Sequence, residues 1–323
     1  MSQVQIVRYG ELIPCKTAFI DAHTPGSDQK ENFTIIGGGV SESPDQHVHI
    51  KQTPGFNIGA AGQPRKCRNS MHSHRTAEVF FVLKGKWRFF WGLHGTAGEV
   101  TLEEGDIINI PTGIFRGFEN IGTDYGMVMV ILGGDDAGGG VVWAPHVIED
   151  AAEHGLVLAE TGKLIDTKKN EQLPDGVKPM PTLSSEELKM FPEPTTTEVV
   201  SKYVARYWDL MALSDRQPAH VIGEGAIIQD QPGFDCHFLS AGSQSTGPYQ
   251  FDGQEVFMVM RGHWTFNFDG QPEQILAPGD TAWIPPKLSR SFSPAMAGEA
   301  SLYRVRSNDA PAGLTQGFTG GHS

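Results

Sequence analysis

Apolar residues in this chain of 323 residues come in short blocks bounded by turn residues, as in EVFFVLKGKWRFFWG, GDIINIPTGIFRGF, GMVMVILGG, EVFMVMRGHWTFNFDG and GDTAWIPPKL. Blocks of this length, rich in β-branched and aromatic residues and interrupted by glycine and proline, predict strands joined by tight turns. After Gly85 the side chains of Trp87, Phe89 and Trp91 share one strand face and those of Arg88 and Phe90 the other, because successive residues alternate. Helix signals are few. APHVIEDAAEHG has Pro145 near a start and Gly155 as a stop, and SSEELKMF opens with Ser184 or Ser185 as a cap. Between them ETGKLIDTKKNEQLPDGVKPMPT lacks periodicity and reads as an extended linker, which puts a junction within residues 160–190.

The strand pattern occurs twice, about 177 positions apart. MHSHRTAEVFFVLKG carries His72, His74, Glu78 and Gly85; YQFDGQEVFMVMRG carries Glu255 and Gly262 at the same interval, with Tyr249 and Phe251 near where the histidines would fall. Downstream, Gly105, Pro111 and Arg116 match Gly279, Pro285 and Arg290, and Trp87 matches Trp264. The second copy is three residues shorter between these blocks, a difference that belongs in the hairpin around LHGTAGE against DGQPE.

These residues resemble the cupin superfamily, and their duplication resembles a bicupin. The first motif of that family, two histidines, a glutamate and a glycine, is met by His72, His74, Glu78 and Gly85; the second is met by Gly105, Pro111, Gly113 and Asn120. Arg116 stands where the family has its last metal-binding histidine. The second copy departs further, with Lys287, Arg290 and Pro294 at the glycine, histidine and asparagine positions. The resemblance covers roughly 50–135 and 225–306. It implies an all-β protein of two double-stranded β-helix (jelly-roll) barrels with short helices in the connecting segment: an arm and metal-site barrel over 1–160, a linker over 161–194, and a degenerate barrel over 195–323. In similar proteins, arms such as 1–45 and 195–224 pack across barrels or into a neighbouring subunit.

Length and composition agree with two ordinary domains. Cys15, Cys67 and Cys236 are an odd, widely spaced set, which argues for a reducing compartment and, with no signal-like or membrane-length apolar run, for a soluble cytoplasmic protein. A net charge of −13 without a basic stripe argues against nucleic acid as a partner.

On a strand, His72 and His74 point the same way, and a short turn returns Glu78 to the same place. Two imidazoles and a carboxylate with open positions suit one divalent transition metal, Fe(II) first and Mn, Ni or Zn as alternatives. The competing reading is a hydrogen-bonded cluster left from an ancestral site. Arg116 either pairs with Glu78 or grips a substrate carboxylate, and Arg290 pairs with Glu255 in a metal-free barrel. Phe81, Trp87, Phe89, Trp91 and Phe115 are candidates for an apolar pocket wall, against a plain core role. His237 is a candidate for the second cavity; His47 and His49 read as a solvated strand or a dimer edge. The expected activity is that of a cupin-type dioxygenase acting on a small aromatic or enolisable organic acid, with Arg116 as its orienting residue, in a homodimer or higher homo-oligomer. The alternatives are an isomerase, decarboxylase or lyase using the same metal without O2, and a non-enzymatic small-molecule-binding cupin.

Overall fold

Each repeat closes into a barrel in which side chains alternate between the two faces of every strand, one face turned inside and the other left to pack elsewhere. A computed structural model describes residues 3–134, 140–230, 232–245 and 247–308. In the first barrel a seven-stranded sheet runs in the order Val204–Ala205, Ile107–Ile110, Glu78–Lys84, Gly126–Gly133, Phe56–Gln63, Glu31–Ile36, Val48–Ile50. A five-stranded sheet faces it, in the order Val142–Trp143, Arg68–Ser73, Arg116–Asn120, Trp87–Trp91, Gly98–Leu102. The second barrel repeats the plan with seven strands, Gln5–Val7, Thr281–Ile284, Glu255–Arg261, Ser301–Ser307, Phe234–Ser240, Ala219–Gly223 and Ile228–Gln229, opposite three, Gln274–Leu276, Trp264–Phe268 and Arg290–Pro294. Trp87 pairs with Leu102 and Trp264 with Leu276, so the length difference lies in the hairpin, as expected.

The outer faces of the two large sheets are themselves apolar, and they bury each other. Phe81 stacks on Tyr303 with centroids 4.5 Å apart, Phe56 meets Phe234 at 5.4 Å, and one continuous core joins Met129, Val128 and Ile107 to Met258, Val305 and Phe238.

The two arms exchange. Gln5–Val7 adds an edge strand to the second barrel through Thr281–Trp283, and Val204–Ala205 adds one to the first through Ile107–Ile108. Each arm is then clasped in the same way. Asp280 accepts from the Tyr9 amide at 2.9 Å and from Arg8 at 2.8 Å, while Asp106 accepts from the Tyr207 amide at 2.9 Å and from Arg206 at 2.7 Å. The tyrosine rings cover the preceding glycines so closely that a Cβ would lie 2.5 Å from Tyr9 at Gly279 and 2.1 Å from Tyr207 at Gly105, both at positive φ.

The predicted helix forms over Pro145–Glu153 and stops at Gly155 (φ 90°); Ser184 caps Ser185–Leu188 in a capping box with Glu187. The expected linker needs correction at its start. Leu164–Asp166 pairs with Leu156–Leu158; Leu164 and Ile165 are both buried, and Leu156, Leu158 and Leu164 fill a cluster with Val147 and Trp143. Two helices also lie in the segment read as an arm, Thr196–Tyr203 and Tyr207–Leu213, the first capped by Thr195 with Glu198. No helix among the described residues is long and apolar enough to cross a membrane.

Candidate metal centre

His72 lies near the end of Arg68–Ser73, between Trp143 on one neighbouring strand and Arg116 on the other. His74 follows the strand, and Glu78 opens the next one. All three side chains are buried, and their ligand atoms lie within 4.8 Å of one another. His72 donates from Nδ1 to the Ser70 carbonyl at 2.7 Å, which leaves Nε2 with its lone pair. Nε2 of His74 is 3.4 Å from Oε1 of Glu78. The other carboxylate oxygen is held by Arg116, from Nε at 3.0 Å and from Nη2 at 2.5 Å.

Electrostatics fix the protonation states. Burial, reinforced by the Arg116 charge, pushes the His72 imidazole down to about 3 and lowers that of His74 as well. Burial alone would raise the Glu78 carboxyl, but Arg116 and the two imidazoles outweigh it and hold it well below the usual range. At neutral pH the cluster is two neutral imidazoles and one carboxylate, the form in which these groups ligate a cation. Nδ1 of His74 is buried without a hydrogen-bond partner, and Oε1 of Glu78 takes no hydrogen bond from Arg116. The set therefore fits a divalent transition metal by donor chemistry and by charge state.

A cavity of about 70 Å³ opens on this cluster. By volume it holds several waters. Its aromatic walls are Phe19, Phe33, Phe80, Phe118 and Trp143. That corrects the expected wall. Glu78 points inward, so strand alternation sends Phe80 inward and Phe81 out toward Tyr303; Trp87, Phe89, Trp91 and Phe115 are core residues, with Phe115 stacked on Phe191 at 4.4 Å. Arg116 does not line the cavity either. Its third donor group, Nη1, reaches the His72 carbonyl at 3.3 Å, so the guanidinium faces Glu78 and the backbone, not the open side. The residue sequence reasoning missed is Asn32, whose side chain lines the cavity and whose buried Nδ2 has no partner.

Comparison with known proteins agrees with this architecture. The Cupin domain model matches residues 62–132. Oxalate decarboxylase from Lactobacillus farciminis, solved as a formate complex, superposes with a TM-score of 0.56 at 13% identity, covering 98% of this chain and 89% of that one. Salicylate 1,2-dioxygenase from Pseudaminobacter salicylatoxidans superposes with a TM-score of 0.53 at 15% identity, covering 94% and 84%. The chain has the two-barrel fold of a bicupin. No curated protein matches it in sequence.

The second barrel keeps the ion pair and lacks the histidine ligands. Arg290 donates to Oε2 of Glu255 from Nε at 2.8 Å and Nη2 at 2.5 Å, the arrangement of Arg116 and Glu78. Tyr249 pairs with Arg290 as His72 pairs with Arg116, and its hydroxyl donates to Glu255 at 3.1 Å. His237 stacks on His220 with centroids 4.6 Å apart, and burial together with Arg304 pushes it down to about 3. His49 donates from Nδ1 to the Thr34 carbonyl at 2.8 Å and accepts the Ile13 amide at 3.2 Å, a structural role at the sheet edge. The three cysteines are free and buried.

Proposed function

We propose that the first barrel is a mononuclear transition-metal enzyme site acting on a small aromatic or enolisable organic acid, with dioxygen as co-substrate. The observation that carries this reading is the buried His72–His74–Glu78 set, its charge state already fixed, at the wall of an aromatic-lined cavity. A bound Fe(II) would supply open positions where an acid chelates and O2 meets it. The chain's own residues do the rest. Phe80, Phe118 and Trp143 exclude water and favour a flat ring. Asn32 offers an unused amide donor to the substrate's oxygen. Arg116 is a positioning residue: it keeps Glu78 ionised and turns Oε1 toward the histidines.

A second reading keeps the metal and dispenses with O2, using it as a Lewis acid in decarboxylation, isomerisation or lyase chemistry; the fold likeness to oxalate decarboxylase favours it equally. An oxygen electrode separates the two. Iron-loaded protein screened against hydroxybenzoates and 1,3-dicarbonyl acids should consume O2 in step with substrate loss; product formation at the same rate under argon decides for the second reading. In either case Asn32→Ala should raise KM several-fold at unchanged metal content, and an unchanged KM removes Asn32 from substrate recognition.

A further inference from the structure

The second barrel replaces its metal ligands with arginines. Beside Glu78, the cavity-facing positions of the first barrel are apolar: Leu132 and Val130 on the strand Gly126–Gly133, and Gly59 beyond them. The same registers beside Glu255 hold Arg306, Arg304 and His237. Arg290 completes a set of three guanidiniums around one glutamate.

That glutamate is already used up. Oε2 takes Arg290 and the Tyr249 hydroxyl, and Oε1 takes Arg306 Nε at 2.6 Å. Arg304 is the least closely paired of the three, facing Glu255 and Tyr249 at longer range. Its Nε is 3.8 Å from Oε1 and has no hydrogen-bond partner, although the residue is only 8% exposed. Among the described residues of these paired strands Asp235 is the other acidic one on this face; it stands opposite Arg306 and lies 3.4 Å from His220. With His237 neutral, three cations against two carboxylates leave one positive charge in excess. Burial and the adjacent Arg306 accordingly lower the Arg304 guanidinium's proton affinity. An uncompensated buried charge is costly, and chains keep one where a ligand completes it.

We infer that the mouth of the second barrel binds a small organic carboxylate, held by Arg304 and Arg306. Arg306 is reachable from outside, with 23% of its side chain exposed. Its guanidinium is fixed against the Phe251 ring at 4.4 Å, and that of Arg290 against Tyr249 at 5.0 Å. These rings hold the forks in place and give the carbon end of the ligand an apolar flank, which favours a carboxylate over inorganic phosphate. The site is independent of the reaction proposed for the first barrel.

The test is calorimetric titration of chelator-treated protein with benzoate and with inorganic phosphate, at fixed ionic strength. Wild type and the His72→Ala, His74→Ala double variant should bind one benzoate per chain alike, and Arg304→Met should weaken it at least tenfold. Arg304→Lys, which keeps the charge and loses the fork, should weaken it several-fold. Without ligand, Arg304→Met should melt at or above the wild-type temperature, since it removes the excess charge. The inference is overturned if wild type shows no saturable benzoate binding, if phosphate alone binds, if the double variant loses the binding, or if the Arg304 variants bind like wild type. A much lower melting temperature or unfolding of Arg304→Met also overturns it, because Arg304 would then be a structural partner of Glu255.

Discussion

The two barrels share a scaffold and a buried Glu–Arg pair, and they differ in what surrounds that pair. Around Glu78 stand two neutral imidazoles and an apolar cavity; around Glu255 stand Tyr249, Phe251 and two further arginines. In each, Nε and Nη2 of the arginine converge on one carboxylate oxygen, so the second oxygen decides the outcome. In the first barrel that oxygen faces His74, and the site has the donor set and charge that suit a cation. In the second it is taken by Arg306, and the excess charge is positive. A duplicated glutamate thus sits in two different electrostatic settings, because uncharged neighbours on the adjacent strand in one barrel are arginines in the other.

The largest effect that sharpens this contrast is on metal content. Protein loaded with Fe(II) or Mn(II) and then desalted should hold about one equivalent per chain, since among the described residues one ligand set is found, in the first barrel. Elemental analysis of the His72→Ala, His74→Ala double variant should find almost none. Full retention by that variant, or two equivalents in wild type, breaks the distinction between the barrels.

Next comes the shared ion pair. Arg116→Ala strands a buried carboxylate and should cost about 3 kcal/mol of stability, whereas Arg290→Ala leaves Glu255 with Arg306 and the Tyr249 hydroxyl and should cost less. The barrels part company on rescue. Added metal should restore part of the loss in Arg116→Ala, where a second cation reaches Glu78, and none in Arg290→Ala. Melting curves with and without metal check this, and equal rescue of both variants shows that the pairs are not differently placed.

The smallest effect is a pH dependence confined to the first barrel. Glu42 accepts the Trp143 indole N–H at 2.6 Å and the Ile20 amide at 2.8 Å, and Trp143 in turn lies against His72 with centroids 5.3 Å apart. Burial raises its carboxyl from 4.5 to about 7. A folded-state value above the unfolded one means that the folded chain holds the proton more tightly. The associated stability is therefore complete below pH 4.5 and is lost as pH rises to about 7. Since Glu42 is partly exposed, the effect should be on the order of 1 kcal/mol. The stability of wild type relative to Glu42→Gln should fall across that window, and a constant difference shows that Glu42 titrates normally.

The sequence by itself determined the all-β class, the duplication, and the residues His72, His74, Glu78, Arg116, Glu255 and Arg290. Strand alternation and local spacing encode these directly. It also contained signals that went unread: Arg8-Tyr9 and Arg206-Tyr207 repeat like the Gly-Asp pairs that receive them, Thr195 and Glu198 spell a capping box, and counting parity from Glu78 selects Phe80 over Phe81. Only the tertiary structure decided the rest. Arm exchange needs strands far apart in the sequence to pair, Gln5 with Trp283 and Val204 with Ile108. Arg116 turns to Glu78 and away from the cavity because a buried carboxylate outcompetes open space for a guanidinium. Arg304 and Arg306, ordinary in a strand that reads SLYRVRS, become a charged cluster only when the barrel closes and brings them to Glu255, a juxtaposition that no local pattern carries.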